Sequence, residues 1–60
     1  MKPKFTHAIQ SQIDAETWED EYVDLSKEEA IATTDNLRKE YSASMTFRVV
    51  ERSVADKVIY

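Results

Sequence analysis

The segment LSKEEAIATTDNLRKEY, residues 25–41, decides the fold because it reads as an amphipathic helix from end to end. Ser26 followed by Glu29 is a capping box, in which each side chain satisfies a backbone N–H group at the helix start. One narrow stripe of this helix collects small and apolar side chains, namely Ala30, Thr34, Leu37 and Tyr41. Because the stripe is narrow, we expect the helix to pack on a sheet.

Alternating sequences before the helix predict the first two strands of that sheet. Residues 5–13 alternate strictly and place one set of side chains on the face expected to be buried, namely Phe5, His7, Ile9, Ser11 and Ile13. A turn at 14–16 leads into a second strand at 18–25. There the parity of the apolar residues changes, and a bulge near Asp20 would restore it. The alternative is a loop as far as Glu21 with a short strand after it.

The sequence after the helix predicts a second hairpin. Residues 45–52 give the clearest strand pattern in the chain, with Met45, Phe47 and Val49 on one face and Thr46, Arg48, Val50 and Arg52 on the other. Residues 53–56 connect it to a final short strand at 57–60. The resulting layout is a compact ββαββ domain of the α+β class, with one helix packed on a small antiparallel sheet. Residues 1–60 form a single domain, with a flexible N-terminus at 1–4.

Size and composition limit how such a domain is stabilised. Sixty residues form one domain at most and bury only about 60% of the surface of the unfolded chain. The chain has no cysteine and one histidine, so a disulfide is excluded and a structural zinc site is not expected. Oligomerisation is the remaining aid, and we expect a homodimer. The alternative is a small monomer with a stability of a few kcal/mol.

The same composition argues against catalysis. Glycine is absent, which excludes the GxGxxG and P-loop phosphate-binding motifs. No cysteine or second histidine is present to act with His7, which we expect to be a half-buried packing residue. We therefore expect no enzymatic activity, no cofactor and no metal. No stretch approaches 18 apolar residues, and no apolar run follows the first residues, so a soluble cytoplasmic protein is expected.

The most unusual local feature is a run of acidic residues. Residues 14–29 hold eight of the chain's twelve acids and a single base, Lys27. Such a surface would dock into a basic groove of a partner protein and steer its association. The candidate partner-binding residues are Glu19, Asp20, Glu21, Tyr22, Asp24 and Glu28. The competing interpretation is a solvated strand edge whose charges prevent edge-to-edge aggregation. Trp18, which precedes these residues, is expected in the core.

Arg48 and Arg52 offer a second candidate site. They share one face of the strand at 45–52 and could contact a phosphate or carboxylate of a small anionic ligand, such as a nucleotide at a dimer interface. The competing interpretation is cross-strand pairing with acids of the second strand. The net charge of −4 argues against direct binding of nucleic acid.

Four short stretches carry a resemblance to a known group of proteins. They are Trp18, Glu28-Glu29-Ala30, Leu37-Arg38 and Phe47-Arg48-Val49-Val50. Together, over residues 18–52, they resemble small uncharacterised accessory proteins of tailed phages. The resemblance implies a viral protein that acts by binding in the host cytoplasm, often as an inhibitor of a host enzyme or an antiviral defence complex. It assigns no functional residue.

These observations predict a small non-enzymatic protein-binding module that uses its acidic face. Two alternatives remain open. The first is a nucleotide binder or sponge that uses the two arginines, and the second is a purely structural oligomer.

Overall fold

Five elements follow one another in the predicted order. The computed structural model describes residues 6–41, 43–53 and 56–60. The expected N-terminal tether at 1–4 and the expected start of the first strand at Phe5 lie outside these ranges. The elements are β1 (His7–Asp14), β2 (Thr17–Leu25), α1 (Lys27–Glu40), β3 (Phe47–Glu51) and β4 (Lys57–Val58). The ββαββ layout of an α+β domain is confirmed.

The four strands form one antiparallel sheet with the order β2-β1-β3-β4. The pairing of β1 with β3 is regular, from His7 opposite Glu51 to Ser11 opposite Phe47. The two hairpins therefore lie side by side, with β1 and β3 in the centre and β2 as one edge strand. Helix α1 crosses between the hairpins and packs on the two central strands.

The helix begins as the capping box predicts. The side chain of Ser26 accepts a hydrogen bond from the Glu29 N–H at 3.2 Å. Acidic residues occupy the first turn and basic residues the last, so both ends complement the helix dipole. At the other end, the Tyr41 N–H donates to the Leu37 carbonyl at 2.9 Å. Local sequence therefore explains both limits of this helix.

A small core lies between α1 and the central strands. Its buried members come from β1, α1 and β3 and are Ile9, Ala30, Phe47 and Val49. Three partly buried side chains pack against them, namely Leu25, Leu37 and Ile59. The predicted stripe is buried at its first two positions, Ala30 and Thr34. Tyr41 is 41% exposed and lies at the border, with its ring 6.2 Å from that of Phe47.

The pairing of β2 with β1 is irregular in three places. It slips between Asp20 and Tyr22, where Glu21 is the extra residue, and again before Leu25. A third shift lies between Trp18 and Thr17, where Ile13 of β1 is the extra residue. The first irregularity confirms the predicted bulge near Asp20. Because β2 is already paired at Thr17, the alternative of a loop as far as Glu21 is wrong.

The strands of the second hairpin are shorter than predicted. β3 begins at Phe47 rather than at Met45, because the Met45 N–H is held by the Tyr41 carbonyl in the turn that leaves the helix. β4 has two residues, and the pairing continues one step further through a hydrogen bond from the Ile59 N–H to the Val49 carbonyl. A strand therefore forms in the segment after residue 56, although it is brief.

Candidate functional site

The residues predicted to bind a partner lie on the edge strand β2, apart from Glu28 on the helix that follows it. All six candidates are exposed: Glu19, Asp20, Glu21, Tyr22 and Asp24 on β2, and Glu28 in the first turn of α1. An edge strand presents backbone N–H and C=O groups that its single neighbour leaves unpaired. The edge thus combines hydrogen-bonding capacity with negative charge.

These acids differ in what they already contact. Asp20 accepts two hydrogen bonds from Arg52, with 2.6 Å between Nη2 and Oδ1 and 3.0 Å between Nη1 and Oδ2. Glu21 accepts a hydrogen bond from the Ser11 hydroxyl at 2.5 Å. Within the described parts of the chain, the side chains of Glu19, Asp24 and Glu28 form neither a hydrogen bond nor an ion pair. The carboxylates of these three residues therefore carry most of the negative charge that is available to a partner.

The two arginines of the second candidate site lie on the face of the sheet opposite the helix. Arg48 donates from Nε to the Gln10 amide oxygen at 2.8 Å, and the Gln10 amide nitrogen donates to Asp20 at 3.0 Å. Arg52 donates from Nε to Asp56 at 3.2 Å, while its Nη1 and Nη2 groups donate to Asp20. A continuous line of polar contacts therefore runs across three strands.

Trp18 belongs to this polar face. The guanidinium carbon of Arg48 lies 4.0 Å from the centre of the indole ring, which is a cation–π contact. The expectation that Trp18 is in the core is wrong, because Trp18 pairs with Gln12 and shares the face of Gln10, away from the helix. We call Gln10, Trp18, Asp20, Arg48 and Arg52 the cross-strand network.

The contacts of the cross-strand network fit the interpretation of cross-strand pairing more closely than that of a site for a small anionic ligand. Arg52 pairs with Asp20 of the second strand, as that interpretation states. Arg48 instead uses an aromatic ring and an amide. Sequence reasoning missed Gln10, although its place on the outer face of the first strand follows from alternation. What alternation does not give is the register that sets Gln10 opposite both Asp20 and Arg48.

Two carboxyl groups near this edge have altered acidity. Hydrogen bonds from Arg52 and then from Gln10 lower the pKa of Asp20 below its ordinary value of 3.8. At the hairpin turn, the Glu16 N–H donates to Asp14 at 3.0 Å and lowers the pKa of Asp14, with Thr17 adding to the effect. Both carboxylates are therefore harder to protonate than that of an ordinary aspartate.

A cavity of about 270 Å³ opens where β2 ends, next to β1 and the residues that follow β3. Its lining comprises Thr6, His7, Ala8, Val23, Asp24, Arg52 and Ser53. Asp24 has a backbone φ angle of 59°, the one positive φ angle among the described residues. Sequence reasoning placed Asp24 in the acidic run and gave no sign of a cavity beside it.

A second cluster, unrelated to the acidic edge, holds Tyr60 against the helix. Arg38 donates to the main-chain oxygens of Tyr60 at 2.7 Å and of Phe47 at 3.1 Å, and its guanidinium lies 4.6 Å from the centre of the Tyr60 ring. The Tyr60 hydroxyl donates to Asp35 at 2.5 Å, which raises the pKa of Tyr60 above its ordinary value of 10.0. These contacts fasten the segment after β4 to α1.

The described ranges contain neither a candidate metal site nor a candidate membrane-spanning helix. No group of three or more histidine or acidic side chains there could hold a metal ion. No helix there is both long enough and apolar enough to cross a membrane. Comparison of the chain with protein-family models, curated proteins and solved structures finds no match in any of the three.

Proposed function

We propose that this chain is a small non-enzymatic protein-binding module that captures a basic segment of a partner protein along the edge strand β2. The observation that carries the proposal is the pairing of a nine-residue edge strand with exposed carboxylates that no described basic residue neutralises. Main-chain hydrogen bonds from an added strand would supply affinity. The carboxylates would select a basic segment over others.

The same charges disfavour the simplest form of self-association. Two copies joined through β2 would bring Glu19 and Asp24 of each chain towards the acids of the other, and like charges across paired strands are destabilising. A partner strand that carries lysine or arginine would instead be attracted by these carboxylates. The regularly paired part of β2 runs from Trp18 to Asp20, before the bulge.

An inhibitor that occupies a basic groove of its target fits this arrangement. The resemblance to phage accessory proteins implies such a role, which we propose for this chain as well. A nucleotide binder that uses Arg48 and Arg52 is less well supported, because both guanidinium groups already contact residues of the sheet. A nucleotide would have to displace Asp20 from Arg52.

The test compares three immobilised proteins in a lysate of the cell in which the chain is made. They are the wild type, Glu19→Lys and Glu40→Lys. Both substitutions reverse one exposed charge, but Glu40 lies at the end of α1, away from β2. We expect a protein retained by the wild type and by Glu40→Lys, lost with Glu19→Lys, and released by rising salt. Equal retention by all three proteins would contradict the proposal.

A further inference from the structure

The cavity at the end of β2 has the size of a site for one side chain. Its volume of about 270 Å³ lies just below the roughly 300 Å³ at which small-molecule pockets begin. It opens beside Val23 and Asp24, so it adjoins the edge strand along which the proposed partner segment would lie. A residue of that segment that extends beyond the part paired with β2 before the bulge could therefore enter it.

The charges around the cavity favour a cation. Arg52 and His7 are the basic side chains in the lining, and Arg52 is already paired with two carboxylates outside it, Asp20 at 2.6 Å and Asp56 at 3.2 Å. Asp24 adds a third carboxylate, which no residue in the described ranges neutralises. The charge of Arg52 is thus already balanced by its own partners, and the carboxylate left without a partner in the lining is that of Asp24. An anion would meet repulsion here, whereas a cation would complete the charge balance.

The lining also suits a particular cation. The exposed Val23 side chain offers an apolar wall against which an aliphatic stem can pack. Asp24 can accept two parallel N–H bonds, the geometry in which a planar guanidinium binds a carboxylate. The Ser53 hydroxyl donates to Glu51, so its oxygen remains able to accept a further hydrogen bond.

We infer that this cavity receives an arginine side chain of the partner segment, with Asp24 as its anchoring carboxylate. The inference rests on the proposed function, because the arginine is carried by the strand added to β2. The partner segment must therefore supply an arginine, and Asp24 is the residue that binds it. The left-handed backbone at Asp24, which aspartate and asparagine adopt more readily than most residues, sets the carboxylate at this point.

The experiment uses the full isotope-labelled chain and two short peptides. One peptide alternates arginine with valine, and the other carries citrulline, which has a similar shape but no charge, in place of each arginine. Amide chemical shifts report binding separately along β2 and around the cavity. We expect the arginine peptide to shift Thr17 to Asp20 together with Ala8, Asp24 and Ser53. The citrulline peptide is expected to leave the cavity resonances unmoved.

A variant isolates the contribution of Asp24. Asp24→Asn keeps the backbone preference and removes the charge, and we expect it to weaken the arginine peptide about tenfold. Glu40→Gln removes a charge away from the cavity and is expected to bind as the wild type does. If Asp24→Asn failed to fold, the two peptides compared on the wild type would still decide the matter.

The outcomes separate this inference from the proposed function. Shifts along β2 alone, with no effect of Asp24→Asn, would overturn the arginine cavity and leave the edge-strand proposal standing. Shifts at the cavity alone would support the cavity and count against docking along β2. Equal effects of both peptides at the cavity would overturn the choice of a guanidinium, and an absence of shifts with either peptide would count against both ideas.

Discussion

Arg52 and Asp20 form a two-pronged ion pair across the face of the sheet opposite the helix, with 2.6 Å between the closest atoms. Asp20 lies on β2 and Arg52 follows β3, so the pair spans the central strand β1. Sequence reasoning assigned Asp20 to the acidic surface and Arg52 to a separate anion site. The structure joins them, and Asp20 therefore contributes less to a partner surface than Glu19 or Asp24.

This pair makes the stability of the domain depend on pH on the acid side. The pKa of Asp20 is lowered below 3.8 in the folded protein, chiefly by Arg52. Its contribution is therefore full above the pKa of the unfolded chain, and is lost as the pH falls through the folded value. Because the side chains are partly exposed, we expect Asp20→Asn to cost only about 0.5 kcal/mol at neutral pH.

Urea unfolding across the acid range measures this effect. The free-energy difference between the wild type and Asp20→Asn is expected to shrink as the pH drops below 3.8. Glu40→Gln, which removes an exposed acid at the helix end, serves as the control. A difference between wild type and Asp20→Asn that persists unchanged in acid would show that the ion pair is not its source.

The contact between Arg48 and Trp18 can be followed through the single tryptophan of the chain. Arg48→Met keeps an aliphatic stem but removes the cation, and we expect a loss of about 0.5–1 kcal/mol of stability. The emission maximum of Trp18 is expected to move to longer wavelength, because one face of the indole opens to water. Lys57→Met, which removes an exposed base on β4, is expected to change neither quantity. An unchanged emission spectrum of Arg48→Met would contradict the contact.

The features that the sequence predicted are those set by neighbours along the chain. The capping of α1 by Ser26 depends on residues three apart, and the alternation of β1 depends on residues two apart. The contact of Gln10 with both Asp20 and Arg48 depends instead on the registers of two strand pairs. A bulge at Glu21 changes one of those registers, and although the parity change along the sequence predicts a bulge near Asp20, no local pattern fixes which residues of β1 lie opposite it. For the same reason the cavity beside Asp24 was not foreseen.

Thr34 carries an unusual buried group. Its side chain is fully buried against the sheet, and within the described ranges its hydroxyl has no hydrogen-bond partner. Thr34→Val keeps the shape and removes the polar atom, so we expect a gain of about 1 kcal/mol in the free energy of unfolding. Thr33→Val, at the half-buried neighbouring position, is the matched control and is expected to change little. A loss of stability in Thr34→Val would show that the hydroxyl is satisfied in solution.

The homodimer expected from the small size stays a prediction, and the structure indicates which surface it would use. Self-pairing through β2 is opposed by like charges, whereas three exposed apolar side chains adjoin the Phe47 end of the core: Ile13, Tyr41 and Met45. We expect light scattering at micromolar concentration to give twice the chain mass of 7.0 kDa. Met45→Lys is expected to return it to the mass of one chain. A wild-type mass of 7.0 kDa would refute the dimer.

Arg38 joins the helix to both β3 and the segment after β4. Its guanidinium bonds the main-chain oxygens of Phe47 and Tyr60 and lies over the Tyr60 ring, so one side chain satisfies two carbonyls and packs one aromatic. We expect Arg38→Ala to cost about 1–2 kcal/mol. The Ile59 amide, which donates to Val49, should also exchange its hydrogen faster. Lys39→Ala, at the exposed next position, is expected to leave both unchanged. Equal exchange at Ile59 in the two variants would mean that β4 holds to the sheet without Arg38.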